Sequence, residues 1–205
     1  MKVLDLFSGL GGASEAFLRA GHDVLRIENN PLLQEVPSTK IMCVFELRDF
    51  LESQKTRLDC TPEFSSIDLV WASPPCDEFS LGFSAPHAIH TREKPNEAYE
   101  PDMAFLEATI DIIRILKPRY WVIENVRGAS KFFTEMIGSK PRQILGNAQF
   151  LWGNFPLISP DEYRTKQQID KRHSPLRANI RAKIPIEISE ALLDSIETQK
   201  TVFDY

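Results

Sequence analysis

Cys76 closes the stretch Trp71-Ala72-Ser73-Pro74-Pro75-Cys76, an apolar run that ends in two prolines and a thiol. Proline fixes φ and gives no N–H to a ladder, so a strand over 67–72 must stop there. The thiol is then held on a stiff turn at a strand end. A thiolate mounted in this way is a nucleophile, whereas the plainer reading is a small buried residue filling core space. Two other groups bear on the choice. Ser8-Gly9-Leu10-Gly11-Gly12 lets a ligand approach the main chain closely, and Glu28 follows sixteen residues later. One carboxylate can accept from both hydroxyls of a ribose, so this pair fits a nucleoside-containing cofactor. Glu124 offers a second acid in Glu124-Asn125-Val126. Asp49 is a further candidate cofactor contact.

The elements that must position these groups alternate. Lys2–Phe7 reads as a buried strand, followed by the glycine turn and a helix over Ala13–Ala20. Val24–Ile27 is a second strand ending at Glu28-Asn29-Asn30-Pro31. Ile41, Cys43 and Phe45 suggest a short strand, and Leu47–Leu51 a short helix. Asp77–Pro101 lacks a period and reads as a lid following the thiol. Its His87 and His90 lack a third metal ligand, so no metal is expected. Met103–Leu116 is an amphipathic helix with Phe105, Leu106, Ile110, Ile113 and Leu116 on its stripe. Tyr120–Ile123 is a buried strand, Ala129–Ile137 a helix, and 148–152 and 157–158 short strands. Ile184, Ile188, Leu192, Leu193 and Ile196 mark a last helix packed by one face. Strand–helix alternation of this kind implies an α/β fold with a mainly parallel sheet and helices on both faces. The strand ends carrying Gly9, Cys76 and Glu124 then all point the same way.

The chain has 205 residues, 42% of them hydrophobic, enough for one compact domain. No apolar run reaches the length of a membrane span, and the first residues show no signal-peptide pattern. Cys43, Cys60 and Cys76 form no CxxC pair, which excludes a zinc knuckle and suggests a reducing, cytoplasmic setting. Net charge is −5, which gives no general affinity for nucleic acid. The charge is uneven, however. Arg164, Lys166, Lys171, Arg172, Arg177, Arg181 and Lys183 stand against the single acid Asp170. Such a segment suits a phosphate-binding surface or a solvated charged loop.

Together these residues resemble the DNA cytosine-5 methyltransferase family. Asp5-Leu6-Phe7-Ser8-Gly9-Leu10-Gly11-Gly12 is similar to its first motif. Pro74-Pro75-Cys76 with Phe79-Ser80 is similar to its catalytic loop, Glu124-Asn125-Val126 to its Glu-Asn-Val motif, and Ile27-Glu28-Asn29-Asn30 to its ribose-binding strand end. Ile184-Pro185 and the following helix resemble the last motif more loosely. The resemblance implies a Rossmann-like class I methyltransferase fold, S-adenosylmethionine as cofactor and duplex DNA with a flipped cytosine as partner. It implies Cys76 as nucleophile, Glu124 at N3 of the base and Asn125 as holder of the loop. Phe7, Ser8, Gly9, Gly11, Gly12, Glu28, Asn29 and Pro74 would bind the cofactor.

The chain also departs from the family. The Gln-x-Arg-x-Arg motif is not intact, and Asp77-Glu78 replaces the usual Gln and variable residue. Ser80, Arg142, Lys171, Arg172, Arg177 and Arg181 are the nucleic-acid contacts available in its place. The implied organisation is a catalytic core over 1–139, a reduced recognition region over 140–183, and a C-terminal helix over 184–205 packing back on the core. Short forms of this kind resemble phage-encoded members, which implies a bacterial or phage-infected host. The same scaffold is compatible with action on RNA, with transfer of a modified one-carbon group, or with a non-catalytic cofactor- or DNA-binding subunit.

Overall fold

The computed structural model describes residues 1–57, 61–146, 148–161 and 174–203. Seven strands form one sheet in the order β3-β2-β1-β4-β5-β7-β6. They are β1 (Lys2–Leu6), β2 (Asp23–Glu28), β3 (Thr39–Ile41), β4 (Leu69–Ala72), β5 (Tyr120–Asn125), β6 (Gln143–Leu145) and β7 (Gln149–Asn154). β1 to β5 run parallel, and β7 lies antiparallel between β5 and β6. The central strands β1, β4 and β5 are buried on both faces, which is why their sequences are nearly continuous apolar runs.

Helices α1 (Glu15–Arg19) and α7 (Ile186–Phe203) cover one face, where Phe17, Ile188, Leu192 and Ile196 pack on Val3, Trp71 and Val122. Helices α2 (Val44–Gln54), α4 (Ala104–Leu116) and α5 (Ser130–Ile137) cover the other, packing on Leu4, Leu6, Val70, Ala72 and Ile123. This is the expected Rossmann-like arrangement. Strand order reverses between β1 and β4, so the glycine turn after β1 and the thiol turn after β4 flank the crevice at the switch point. Open α/β sheets bind their ligands in that crevice. Among the described residues no helix is long and apolar enough to cross a membrane.

Several boundaries differ from the sequence reading. Cys43 is not in a strand. It caps α2, sharing a capping box with Glu46, and the helix runs from Val44 with Val44, Leu47 and Leu51 buried. The segment after Cys76 is not wholly irregular, since α3 (Pro86–Glu93) lies within it, started by proline at its first position. The buried stripe of α4 is Leu106, Ala108, Thr109, Ile112 and Ile115. Phe105, Ile110, Ile113 and Leu116 are only partly buried. Glu107, Asp111 and Arg114 mark the solvent stripe, and the apolar residues beside it pack only in part. Residues 157–158 form no strand, while β6 pairs with β7 as an edge hairpin. Part of the basic segment is helical, as α6 (Arg177–Ala182).

Candidate active site

The glycine turn is held from beneath by a buried guanidinium. Arg26 is 0% exposed and donates to Ser14 Oγ, the Gly11 carbonyl and the Pro37 carbonyl at 2.9 Å each, and to Glu15 Oε2 at 3.0 Å. The Ser14 hydroxyl in turn donates to Asp5 Oδ2 at 2.6 Å. Burial pushes the Asp5 carboxyl up to about 6, while Ser14 and Arg26 hold it back. The sequence reading missed this network. Its signal is a single charge in the apolar interior of each of two strands, Asp5 in β1 and Arg26 in β2, which the register places side by side. Removing one partner of such a set leaves the others buried and unpaired. Arg26→Met should therefore lower unfolding free energy by about 3 kcal/mol, read as an earlier midpoint in urea. An unchanged midpoint would show that the network carries no such load.

Above this support the turn is open. Gly9 has φ +52°, and a Cβ built there would meet only Asn179 Nδ2, at 4.0 Å. The neighbouring Ser8 hydroxyl is buried and has no partner. Glu28 Oε2 accepts from the Gly9 N–H at 2.7 Å, and Oε1 accepts from the N–H groups of Asn29 and Asn30 at 2.9 Å each. The carboxylate is thus locked in place with accepting capacity left over, since each oxygen has two lone pairs. Gly12 is closed by contrast, because a Cβ there would fall 2.1 Å from the Ile184 carbonyl. The C-terminal segment therefore crosses the turn. Asn179 of α6 accepts from Asn30 Nδ2 at 3.4 Å beside the Glu28 strand end. An unpartnered hydroxyl, a bare glycine and a fixed carboxylate at a switch point fit a nucleoside-containing ligand. Phe7, with φ +57°, holds its ring edge-on to Phe105 at 5.7 Å.

Asp49 lies in the second turn of α2 with a 68% exposed side chain that pairs with Arg48 at 2.7 Å. Helix α2 starts three residues earlier than its sequence period suggests, at Val44 rather than Leu47.

Cys76 follows β4 as expected and is half-buried. Burial pushes its thiol upward, and the nearby Asp77 and Glu124 carboxylates add to this, while Arg181 of α6 acts the other way. Glu124 ends β5, the neighbouring strand. Burial raises its carboxyl to about 7, and a hydrogen bond from the Ser73 side chain opposes the rise. Asn125 is buried and ties the two strand ends together. Its Nδ2 donates to the Pro74 carbonyl at 2.9 Å, and its Oδ1 accepts from the Val126 N–H at 2.9 Å. Ser80 Oγ accepts from the Gly82 N–H at 3.2 Å. On the α4–α5 side of the Pro-Pro-Cys turn lies a cavity of about 160 Å³, lined chiefly by Pro74, Phe79, Phe105, Leu106 and Phe133.

The segment after the thiol is fastened at its far end. The Tyr99 hydroxyl donates to Glu78 Oε2 at 2.5 Å, and its ring stacks on His87 at 4.7 Å. Between these ends Leu81 and Phe83 are exposed, Phe83 at 80%, with the Arg92 guanidinium 4.2 Å over its ring. The basic residues divide. Arg177 and Arg181 lie on α6 with exposed side chains. Arg142 bonds back to its own hairpin, donating to the Phe155 carbonyl at 2.6 Å. Lys171 and Arg172 lie outside the described residues. No group of metal-binding side chains exists among the described residues.

Comparison with known proteins follows this geometry. The C-5 cytosine-specific DNA methylase family matches residues 1–138, which take in every parallel strand of the sheet. The type II methyltransferase M.AgeI of Thalassovita gelatinovora is 29% identical over 132 residues, which are 62% of this chain and 28% of that protein. M1.HphI of Haemophilus parahaemolyticus is 26% identical over 155 residues, 70% of this chain and 36% of that one. A SAM-dependent methyltransferase of known structure from Agrobacterium tumefaciens gives a TM-score of 0.41 at 18% identity, covering 67% of this chain and 43% of its own. The chain thus matches well under half the length of either curated relative.

Proposed function

Because the chain belongs to the C-5 cytosine-specific DNA methylase family, we propose that it methylates C5 of cytosine in DNA through a covalent bond between Cys76 and C6. The observation that carries this reading is the pairing of Cys76 and Glu124 at adjacent strand ends, beside the open Gly9–Glu28 turn. A cofactor or DNA-binding module has no need of a thiol and a neutralised carboxyl side by side.

C5 of cytosine is a poor nucleophile and C6 is electron-poor. Addition of the Cys76 thiolate forms an Sγ–C6 bond and shifts the C5–C6 electron pair toward C5, which becomes enamine-like. Glu124, with a carboxyl raised to about 7, holds a proton near neutrality and can place it at N3, where negative charge gathers as sulfur adds. S-adenosylmethionine, when bound, supplies the electrophilic methyl that the activated C5 accepts. Loss of the C5 proton then re-forms the double bond and expels the Cys76 thiolate. Glu28 and Ser8 would take the ribose and a polar group of the cofactor, and Phe7 would lie against its adenine. Pro74 and Asn125 hold the turn so that the thiol does not move during addition.

A base cannot reach Cys76 from within a duplex, so the cytosine must leave the stack. The segment from Asp77 to Pro101, tethered by Tyr99 and apolar at Leu81 and Phe83, is the element able to close over it. Arg177 and Arg181, exposed on α6, would be the contacts to the phosphate backbone. The test is incubation of the protein with cofactor and DNA containing 5-fluorocytosine in mixed sequence contexts. Fluorine blocks the last elimination, so a covalent complex resistant to denaturation is expected. Absence of any complex, together with no 5-methylcytosine in DNA from a methylation-free host expressing the protein, would sink the reading.

A further inference from the structure

Ser73 stands at the end of β4, two residues beyond Trp71. The register pairs Trp71 with Val122 and Ala72 with Ile123, so its continuation sets Ser73 opposite Glu124. Paired residues of parallel strands share a face, so the hydroxyl and the carboxyl lie on the same side of the sheet. The Trp71 indole, 1% exposed, donates its N–H to Ser73 Oγ at 2.9 Å. An indole nitrogen can only donate. With that bond made, Ser73 has one proton to give and a neighbouring acceptor in Glu124. We propose that Ser73 is a positioning residue for Glu124: the buried indole fixes its hydroxyl as a donor, and the hydroxyl orients one carboxylate oxygen so that the other faces the base.

This rests on the reading of Glu124 as the group at N3, and it adds a device that the relatives' names do not assign. Ser73 is the polar side chain that acts on the Glu124 carboxyl. β7 sets the apolar Leu151 opposite it, the β4 turn brings Cys76, and Arg181 of α6 acts on that thiol. A donor to a carboxylate favours its charged form, so Ser73 opposes the effect of burial on Glu124. Losing the hydroxyl should raise the pH at which Glu124 titrates and loosen its aim.

The test reads both. Carboxyl-carbon NMR of the full chain with labelled glutamate, the Glu124 signal assigned by its loss in Glu124→Gln, follows the titration without substrate. In Ser73→Ala that signal should titrate higher by roughly half a pH unit or more, and Ser73→Thr should return it. On DNA with S-adenosylmethionine, Ser73→Ala should lower kcat by roughly tenfold with KM for DNA unchanged, and Ser73→Thr should recover most of it. If Ser73→Ala fails to fold, the double variant Trp71→Phe/Ser73→Ala removes the orphaned indole N–H as well and carries the same expectation. A Glu124 titration that is the same with and without the hydroxyl overturns the proposal. A wild-type protein that methylates nothing would instead sink the proposed function, and the titration would still read the Ser73 contact.

Discussion

Cys76→Ala is expected to abolish methylation and the 5-fluorocytosine adduct together while leaving the fold intact. The side chain is half-buried, and truncating it to Ala removes only the sulfur. Stability should therefore change little, because the thiol's backbone hydrogen bond is within its own residue and ties no other part of the turn. The Asn125–Pro74 bond and the backbone bonds from Phe79 and Ser80 to the Cys76 carbonyl hold the turn by themselves. The rate should fall on the order of 10⁴-fold or more, since removing a covalent nucleophile takes away the step that activates C5. Binding of S-adenosylmethionine, measured by calorimetry, should persist because its candidate contacts other than Pro74 lie at the ends of β1 and β2. Residual methylation within tenfold of wild type would remove the covalent step from the reaction. A second readout follows from the thiol's surroundings. Burial, with Asp77 and Glu124 nearby, keeps Cys76 above the usual thiol range. The free protein should thus react slowly with iodoacetamide at neutral pH, at a rate that climbs through the alkaline range. Charge reversal at Arg181 should slow it further, because that guanidinium favours the thiolate.

Much of this site could be read before any coordinates. Strand ends were legible because proline, glycine and acid punctuate apolar runs at Gly9, Glu28, Cys76 and Glu124. A parallel sheet gathers all of them at one edge, so order along the chain predicted proximity in space. The helical setting of Asp49 is not legible in the sequence, for a physical reason. The short apolar stretch at 41–45 has no clear period, and a Cys–Glu capping box, which lacks the usual Ser or Thr, set the start of α2 unseen. Helix α3 was hidden because it buries no residue and so leaves no stripe. Arg26 and Asp5 were overlooked because single charges inside strands look like noise until the register pairs them. Ser73 sits inside a motif whose pattern gives it no role. Its role depends on which strand lies beside β4, and no local pattern carries that information. Two of the arginines differ in setting in a way no local pattern shows: Arg181 of α6 acts on the thiol, while Arg142 bonds to the Phe155 carbonyl.

Glu124→Gln should make the protein more stable and far less active. Burial lifts the Glu124 carboxyl from 4.5 to about 7, so holding it ionised in the fold is unfavourable. The sign follows from the two states. Below pH 4.5 the carboxyl is protonated in both folded and unfolded chains, and burial costs nothing through ionisation. Between 4.5 and about 7 the unfolded chain releases the proton first, and the folded state loses stability as pH rises. Above about 7 the penalty is complete. A neutral amide of the same shape escapes it. Glu124 keeps some access to the crevice, so the gain at pH 8 should be about 1–3 kcal/mol rather than the whole shift. It should shrink steadily toward pH 5, as thermal melts of wild type and variant at a series of pH values would show. Activity should move the other way. An amide has no proton to deliver to N3 as sulfur adds at C6, and kcat should drop about 10²–10⁴-fold. The 5-fluorocytosine complex should then form slowly but still form, because Cys76 remains. A variant that is neither stabilised at pH 8 nor slowed would show that Glu124 is an ordinary strand-end acid. Stabilised and slow together, the variant would identify a group that the fold holds against its own stability for chemistry.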